Sequence, residues 1–337
     1  MQNIAIIGAG ITGTTTAWAL IKRGYNVTIF DRNRYAGMET SFANGGQLSA
    51  SNAEAKDAGV DFDLEKRGIL HIYENKKSFD HATKVNALLA KGGLERHAVS
   101  ATEVKEIEPT LNGDFYGGYY TQSDSTGDIH KFCSGLEAAC NAVMIDFERN
   151  GKTENANFDA VVISAGVGSR NLATQLGDRV NVYPVKGYSI TVNLPDAQSQ
   201  SAAPWTSILD DEAKLVTSRL GKDRFRVAGT AEFSGYNKDI RDDRIRPLTK
   251  WCEHLFPDMS TEQVVPWAGL RPMMPNMMPR VGNGNKTRIY YNTGHGHLGW
   301  TLSAATADII AAKIEADMVN SNHQVATTTT KLSIAAE

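Results

Sequence analysis

Residues 3–31, NIAIIGAGITGTTTAWALIKRGYNVTIFD, decide the fold. An apolar run over residues 3–7 ends at Gly8, helical spacing carries the chain to about Lys22, and Gly24 precedes a second apolar run from Asn26 to Phe30. This order predicts a strand, a glycine turn, a helix and a second, parallel strand. In GAGITG the glycines have separate work: Gly8 permits the tight turn, Gly10 lets the backbone approach a pyrophosphate, and Gly13 lets the helix pack closely. The amides of the helix start, at Ile11 and Thr12, face the phosphates together with the helix dipole. Asp31 follows about twenty residues later at the end of the second strand, where a carboxylate can bond ribose hydroxyls. The motif predicts an ADP-containing cofactor and does not by itself separate NAD from FAD.

Two distant segments favour FAD. FDAVVISAGVGSR (158–170) and IYYNTGHGHLGWT (289–301) each bring a strand to a glycine-rich turn, and ligands of open α/β sheets bind at such strand ends. A second helix starting near Leu298 would aim its positive end at the N1 and C2 carbonyl edge of a reduced flavin. Between these segments, from Val182 to about Thr230, apolar and polar residues alternate as in antiparallel strands covered on one face. The fold class predicted is α/β: a Rossmann-like two-dinucleotide-binding FAD domain on a parallel sheet, interleaved with a substrate domain on a mixed or antiparallel sheet. Residues 1–55, 122–180 and 286–320 are assigned to the first, 56–121 and 181–285 to the second, and 321–337 to a poorly ordered tail.

WAGLRPMMPNMMPRVG (267–282) places Arg271 between Leu270 and Pro272, which reads as a rigid loop. There the guanidinium can grip a carboxylate through two parallel hydrogen bonds, or equally pair with an acidic neighbour or stack on Trp267. His71, His130, His295 and His297 are each chemically able to act as a base, and only His295 and His297 lie beside the presumed flavin. A helix over about 248–255 is expected upstream.

With 337 residues and a formal net charge of -3, the chain has no basic field for nucleic acid. Its three cysteines read as reduced structural thiols, and no spacing suggests a metal site. The chain opens directly on its first strand and shows no apolar run of spanning length, so a cytoplasmic location is expected.

The segments ETSFANGGQLS (39–49), SDSTGDIHKF (123–132), SAGVGSR (164–170), PVKGYS (184–189), WAGLRPMMP (267–275) and NTGHGHLGWT (292–301) occur in a fixed order. In that order the chain resembles the D-amino acid dehydrogenase branch of the D-amino acid oxidase and glycine oxidase superfamily. The resemblance implies oxidative deamination of a D-amino acid by hydride transfer from Cα to flavin N5, with a quinone or other electron acceptor. It also allows peripheral contact with the cytoplasmic face of a membrane, and leaves an oxygen-using oxidase, a secondary-amine oxidase and a flavin module without turnover as alternatives. It implies Arg32 near the adenine and Thr40 and Ser41 at the pyrophosphate. Ala43, Asn44, Gly45, Gly46, Gln47 and Leu48 would pass beside the isoalloxazine, with Ala165 and Gly166 along the cofactor channel. The stretch Gly294, His295, Gly296, His297, Leu298, Gly299, Trp300 and Thr301 would present backbone donors to the flavin, Arg271 would hold the substrate carboxylate, and Tyr188 and Tyr236 would line the substrate pocket. The chain is shorter than typical members between Ala53 and Gly59 and between Asn141 and Phe158, and Asn276 stands where an aspartate is usual.

Overall fold

A computed structural model describes residues 1–48, 57–146 and 156–322. The tail expected beyond Asn320 falls, from residue 323 on, outside the described residues, as do 53–56 and 147–155 of the two shortened regions.

Strands and helices are numbered along the chain. Among the described residues a six-stranded sheet has the order β15-β16-β9-β1-β2-β8, formed by β1 (Asn3–Ile7), β2 (Asn26–Asp31), β8 (Val143–Asp146), β9 (Ala160–Ile163), β15 (Arg280–Asn283) and β16 (Ile289–Thr293). All its pairings are parallel except β15 with β16. An eight-stranded sheet has the order β14-β10-β13-β12-β11-β4-β6-β5. Its strands are β4 (Ile69–Tyr73), β5 (His97–Ser100), β6 (Gly117–Thr121), β10 (Tyr183–Asn193), β11 (Ser207–Asp210), β12 (Leu215–Leu220), β13 (Arg224–Glu232) and β14 (Val264–Met273). This second sheet is antiparallel except where β11 meets β4, so the mixed sheet expected from the alternation is present. A two-stranded ribbon, β3 (Gln47–Leu48) with β7 (Ser125–Thr126), completes the pairing.

The helices are α1 (Ile11–Ile21), α2 (Lys76–Ala90), α3 (Ala101–Ile107), α4 (Ile129–Cys140), α5 (Ser169–Leu176), α6 (Ala197–Ala202), α7 (Asp242–Leu255) and α8 (Gly299–Asn322). Helix α1 is held close to its sheet although it is rich in β-branched threonine. The hydroxyls of Thr14, Thr15 and Thr16 donate back to carbonyls of residues 10–12, so they are buried with their hydrogen bonds made. Around α1 and α8, Ile4, Ile6, Leu20, Ile29, Trp300, Ile310 and Ile314 form one core. Under α7, Tyr188, Ile190, Phe225, Val227, Leu248, Cys252 and Phe256 form a second. Cys133, Cys140 and Cys252 are free and buried, and burial pushes each thiol up to about 12, where no thiolate forms at neutral pH.

Three boundaries differ from expectation. Residues 280–283 pair with β16 in the first sheet rather than joining the second, because the short turn after Asn283 folds them back as a hairpin. Helix α7 begins at Asp242, before Pro247, with Asp242 and Asp243 favourably placed in its first turn. Residues 264–273, expected to be a loop around Arg271, form β14, whose ten residues pair with β10 on one side only. Pro266 and Pro272 are tolerated because β14 is an edge strand and a missing N–H can face outward there.

Candidate functional site

The glycine turn works by clearance. Gly8 has φ +111°, and a Cβ on it would stand 2.5 Å from the Ser164 carbonyl oxygen. A Cβ on Gly13 would lie 1.8 Å from the Gly8 oxygen, so α1 rests on the turn at a distance only glycine allows. Gly10 is different, since its Cβ would meet only Ser41 Oγ, at 3.6 Å. Around this turn the Ala9 N–H donates to Asp31 Oδ2 at 2.7 Å and the Asn33 N–H donates to Asp31 Oδ1 at 2.8 Å, which fixes the carboxylate beside the glycines. The Ile11 N–H donates to Ser41 Oγ at 3.1 Å and the Gly13 N–H to the Gly10 carbonyl at 3.0 Å, whereas the Thr12 N–H between them has no residue four positions back within the helix to accept it.

The other two glycine turns converge on the same place. Ala165 and Gly166 follow β9, and no atom lies within 4 Å of where a Cβ on Gly166 would project. A Cβ on Gly299, the first residue of α8, would be 3.6 Å from Ile11 Cγ2, so two helix starts face one region. Gly294 and Gly296, with φ +80° and +59°, turn the chain from β16 into α8 against Met274 and Met273 of the β14 end. Leu298 and His297 are exposed, while Trp300 is buried against Phe62 and Phe132, so Trp300 can offer a ligand only its backbone. Ser164 Oγ and His295 Nδ1 are buried without a hydrogen-bond partner among the described residues. Glycine clearance, amides at helix starts and unpaired polar atoms across the carboxyl ends of β1, β9 and β16 fit a dinucleotide.

Residues 32–48 bridge this cradle to the second sheet. Arg32, expected near an adenine, pairs with Glu39 at 2.5 Å, and Lys238 from the loop after β13 reaches the same carboxylate at 2.5 Å. Against the upward pull of burial, Lys238 and Arg32 hold the Glu39 carboxyl below its usual range. Thr40 Oγ1 donates to the Leu270 carbonyl at 2.7 Å. Ser189 Oγ donates to the Ala43 carbonyl at 2.7 Å and Ser218 Oγ to that of Gly45 at 2.5 Å. Asn44 Oδ1 caps the Gly46 N–H, and Gln47 Nε2 reaches Ser207 Oγ before Gln47 and Leu48 enter β3. The segment is thus pinned to β10, β11, β12 and β14 together.

Arg271 projects from β14 toward this segment's side. Its Nη1 donates to the Thr230 carbonyl at 2.7 Å and its Nη2 to that of Gly229 at 3.3 Å. Among the described residues it has no carboxylate partner and no aromatic stack, so neither alternative raised from the sequence applies. Burial lowers the pKa of the half-buried guanidinium, and burial together with the Arg271 charge lowers that of His297. Tyr188 is not part of this surface. Strand alternation sends its side chain to the opposite face of β10, into the core under α7, where its hydroxyl donates to Glu232 Oε2 at 2.8 Å. Tyr236 stands half-exposed in the loop after β13, which Lys186 ties down through Asn237 Oδ1 and the Asp239 carbonyl. His71, on β4, is buried with its Nδ1 against Asp211 just after β11, and His130 packs on Phe42.

His295 is a neutral structural group rather than a base. Thr306 Oγ1 donates its proton to the Ser303 carbonyl, so it accepts from His295 Nε2–H and leaves Nδ1 unprotonated. Burial pushes the ring down to about 4, far from the value that suits a base at neutral pH. A folded-state value below the unfolded one means that the unfolded chain binds the extra proton between about pH 6.5 and 4. Stability therefore falls as pH drops through that window, by on the order of 2–3 kcal/mol from this residue. Thermal melts from pH 7 to 4 are expected to show a flatter decline for His295→Gln than for the parent, and parallel curves would remove His295 as the cause.

Sequence reasoning missed Gly187, Thr230, Glu39 and Lys238. The only available signal was a glycine inside YPVKGYSITVN, since a glycine within a strand marks a bulge or a close approach.

The FAD dependent oxidoreductase family matches residues 3–57 and 52–313. The chain belongs to that family. As a member it is an FAD-dependent oxidoreductase, and FAD is its cofactor. It is 48% identical to "D-amino acid dehydrogenase 3" of Mesorhizobium japonicum over 404 residues, covering 94% of this chain and 98% of the relative. It is 34% identical to a D-amino acid dehydrogenase of Paramagnetospirillum magneticum, covering 92% and 94%. The Mesorhizobium alignment is longer than the chain's 337 residues, so that relative carries segments this chain lacks. Glycine oxidase from Geobacillus kaustophilus shares the fold, with a TM-score of 0.81 over 94% of this chain and 95% of that one at 21% identity. No helix among the described residues is long and apolar enough to cross a membrane.

Proposed function

We propose that this family member is a D-amino acid dehydrogenase that converts D-amino acids to 2-oxo acids and ammonia and passes the electrons to a quinone or similar acceptor, at the cytoplasmic face of a membrane. The observation that carries the reading is Arg271, a half-buried guanidinium with no carboxylate of its own among the described residues, facing the segment that bridges to the cofactor cradle. The relatives named above support the substrate class.

FAD, when bound, supplies a two-electron acceptor at its N5. Gly8, Gly10, Gly13 and the Thr12 amide would hold the pyrophosphate, with Ile11 placing Ser41 beside it through its own N–H, Asp31 toward the ribose and Arg32 toward the adenine. Thr40, Ser41 and Ala43 to Leu48 would flank the pyrophosphate and isoalloxazine, and Ala165, Gly166 and the backbone of residues 294–301 would meet the rest. Arg271 would grip the substrate carboxylate and so fix where the Cα–H bond points. Desolvation and the Arg271 charge both lower the pKa of His297, which disfavours a second cation beside Arg271. Positioning and electrostatics carry the step, so no general acid–base pair is required from the chain.

The experiment is to titrate the purified yellow protein, without oxygen, with amino acids of both hands. Bleaching by D-isomers alone, with 2-oxo acid and ammonia recovered in equal amounts, is the expected result. Bleaching by L-isomers, or none, would overturn the reading. Turnover with a soluble quinone that greatly exceeds peroxide formation under air tests the acceptor.

A further inference from the structure

Arg271 owes its position to a cradle made by the two strands beyond its own edge. Gly187, inside β10, lies against the guanidinium: a Cβ there would stand 2.4 Å from Cζ and Nη2 and 2.5 Å from Nη1 of Arg271. No larger residue leaves that plane where it is. On β13 the pairing with β10 slips. Tyr188 faces Gly229 but Lys186 faces Glu232, so Thr230 and Ala231 both stand opposite Gly187, which is a bulge. Thr230 has φ +59°, an unfavourable conformation for a β-branched residue, and its Oγ1 is buried without a hydrogen-bond partner among the described residues. Both features oppose stability. What the bulge achieves is to turn two successive carbonyls, those of Gly229 and Thr230, onto one guanidinium. An arginine carries five N–H donors, so these two bonds hold the fork and leave donors for a second, bidentate partner.

We propose that Gly187 and the Thr230 bulge are positioning residues that preset the Arg271 guanidinium for the substrate carboxylate. The proposal rests on the reading of Arg271 as the carboxylate anchor. A preset fork spends no side-chain ordering when substrate arrives, and it holds Cα at one distance from the reacting cofactor.

The test uses the FAD-loaded protein and isovalerate, a carboxylate without an oxidisable amine, titrated by its effect on the flavin spectrum, beside steady-state kinetics with a D-amino acid. Gly187→Ala is compatible with a strand backbone, and the three atoms nearest its Cβ all belong to the far end of a flexible side chain. It is expected to keep flavin content and melting temperature, to weaken isovalerate binding and raise KM by about 10-fold each, and to leave kcat within about 3-fold. In an Arg271→Ala background it should add less than about 2-fold to the isovalerate Kd. Thr230→Gly, which accepts the positive φ, should melt higher than the parent, and an unchanged or lower melting temperature would remove the strain assigned to the bulge. Parent-like Kd and KM for Gly187→Ala would overturn the proposal, and so would an equal loss with Arg271 already removed. If Arg271→Ala alone changes neither constant, the anchor reading itself fails, and the proposal with it.

Discussion

Replacing Arg271 by alanine is expected to raise the KM for D-amino acids by about 100-fold, equivalent to about 2.7 kcal/mol, while FAD content stays at parent level. The size follows from the environment. The guanidinium is half-buried and, among the described residues, has two backbone carbonyls as its acceptors, so its charge is available to a ligand and poorly screened by water. Lysine at the same position would restore the charge but not the two parallel bonds, and should recover only part of the loss. An alanine variant with a parent-like KM in initial-rate measurements would remove Arg271 from the substrate site.

The second large effect separates two glycines of one motif. Gly13→Ala forces a Cβ to 1.8 Å from the Gly8 backbone oxygen, and since the Cβ is fixed by its own Cα neither can yield without moving α1 off β1. A destabilisation of about 3 kcal/mol or more is expected, visible in apoprotein melts or as loss of soluble protein. Gly10→Ala meets only Ser41 Oγ at 3.6 Å, so the apoprotein should melt as the parent does. Its methyl group would instead occupy the space beside the helix amides and weaken FAD by about 10-fold or more, read from flavin retention on dilution. Equal melting temperatures for the Gly13→Ala and parent apoproteins would contradict the packing role.

Much of the first sheet was legible because its signals are local. Strand, turn, helix and strand over residues 3–31 appear where periodicity and glycine spacing put them, and Gly8 and Gly13 show the clearance that their places in the motif demand. The second sheet was legible only as alternation. Its order β14-β10-β13-β12-β11-β4-β6-β5 joins segments far apart in the chain, and alternation carries no information about partners. Arg271 illustrates the consequence. The flanking prolines suggested a loop, but pairing with β10 makes a strand, and only an edge position makes those prolines acceptable.

Tyr188 and His295 mark the same limit from the other side. Each sits in a segment the family order singles out, yet Tyr188 points into the core under α7 and His295 is held neutral against Thr306. A sequence names the residue in such a segment without naming the face it occupies.

By itself, then, the sequence determined the dinucleotide cradle, because a glycine turn between strand and helix is specified by neighbours a few residues apart. It also singled out Arg271 as a cation among apolar residues and prolines. The tertiary structure alone decided how that cation is aimed. Gly187 and Thr230 lie 84 and 41 positions before Arg271, and only the pairing of β14, β10 and β13 brings a missing side chain and two turned carbonyls to one guanidinium. Contacts of that separation depend on sheet register, which the sequence encodes in the whole packed core rather than in any one stretch.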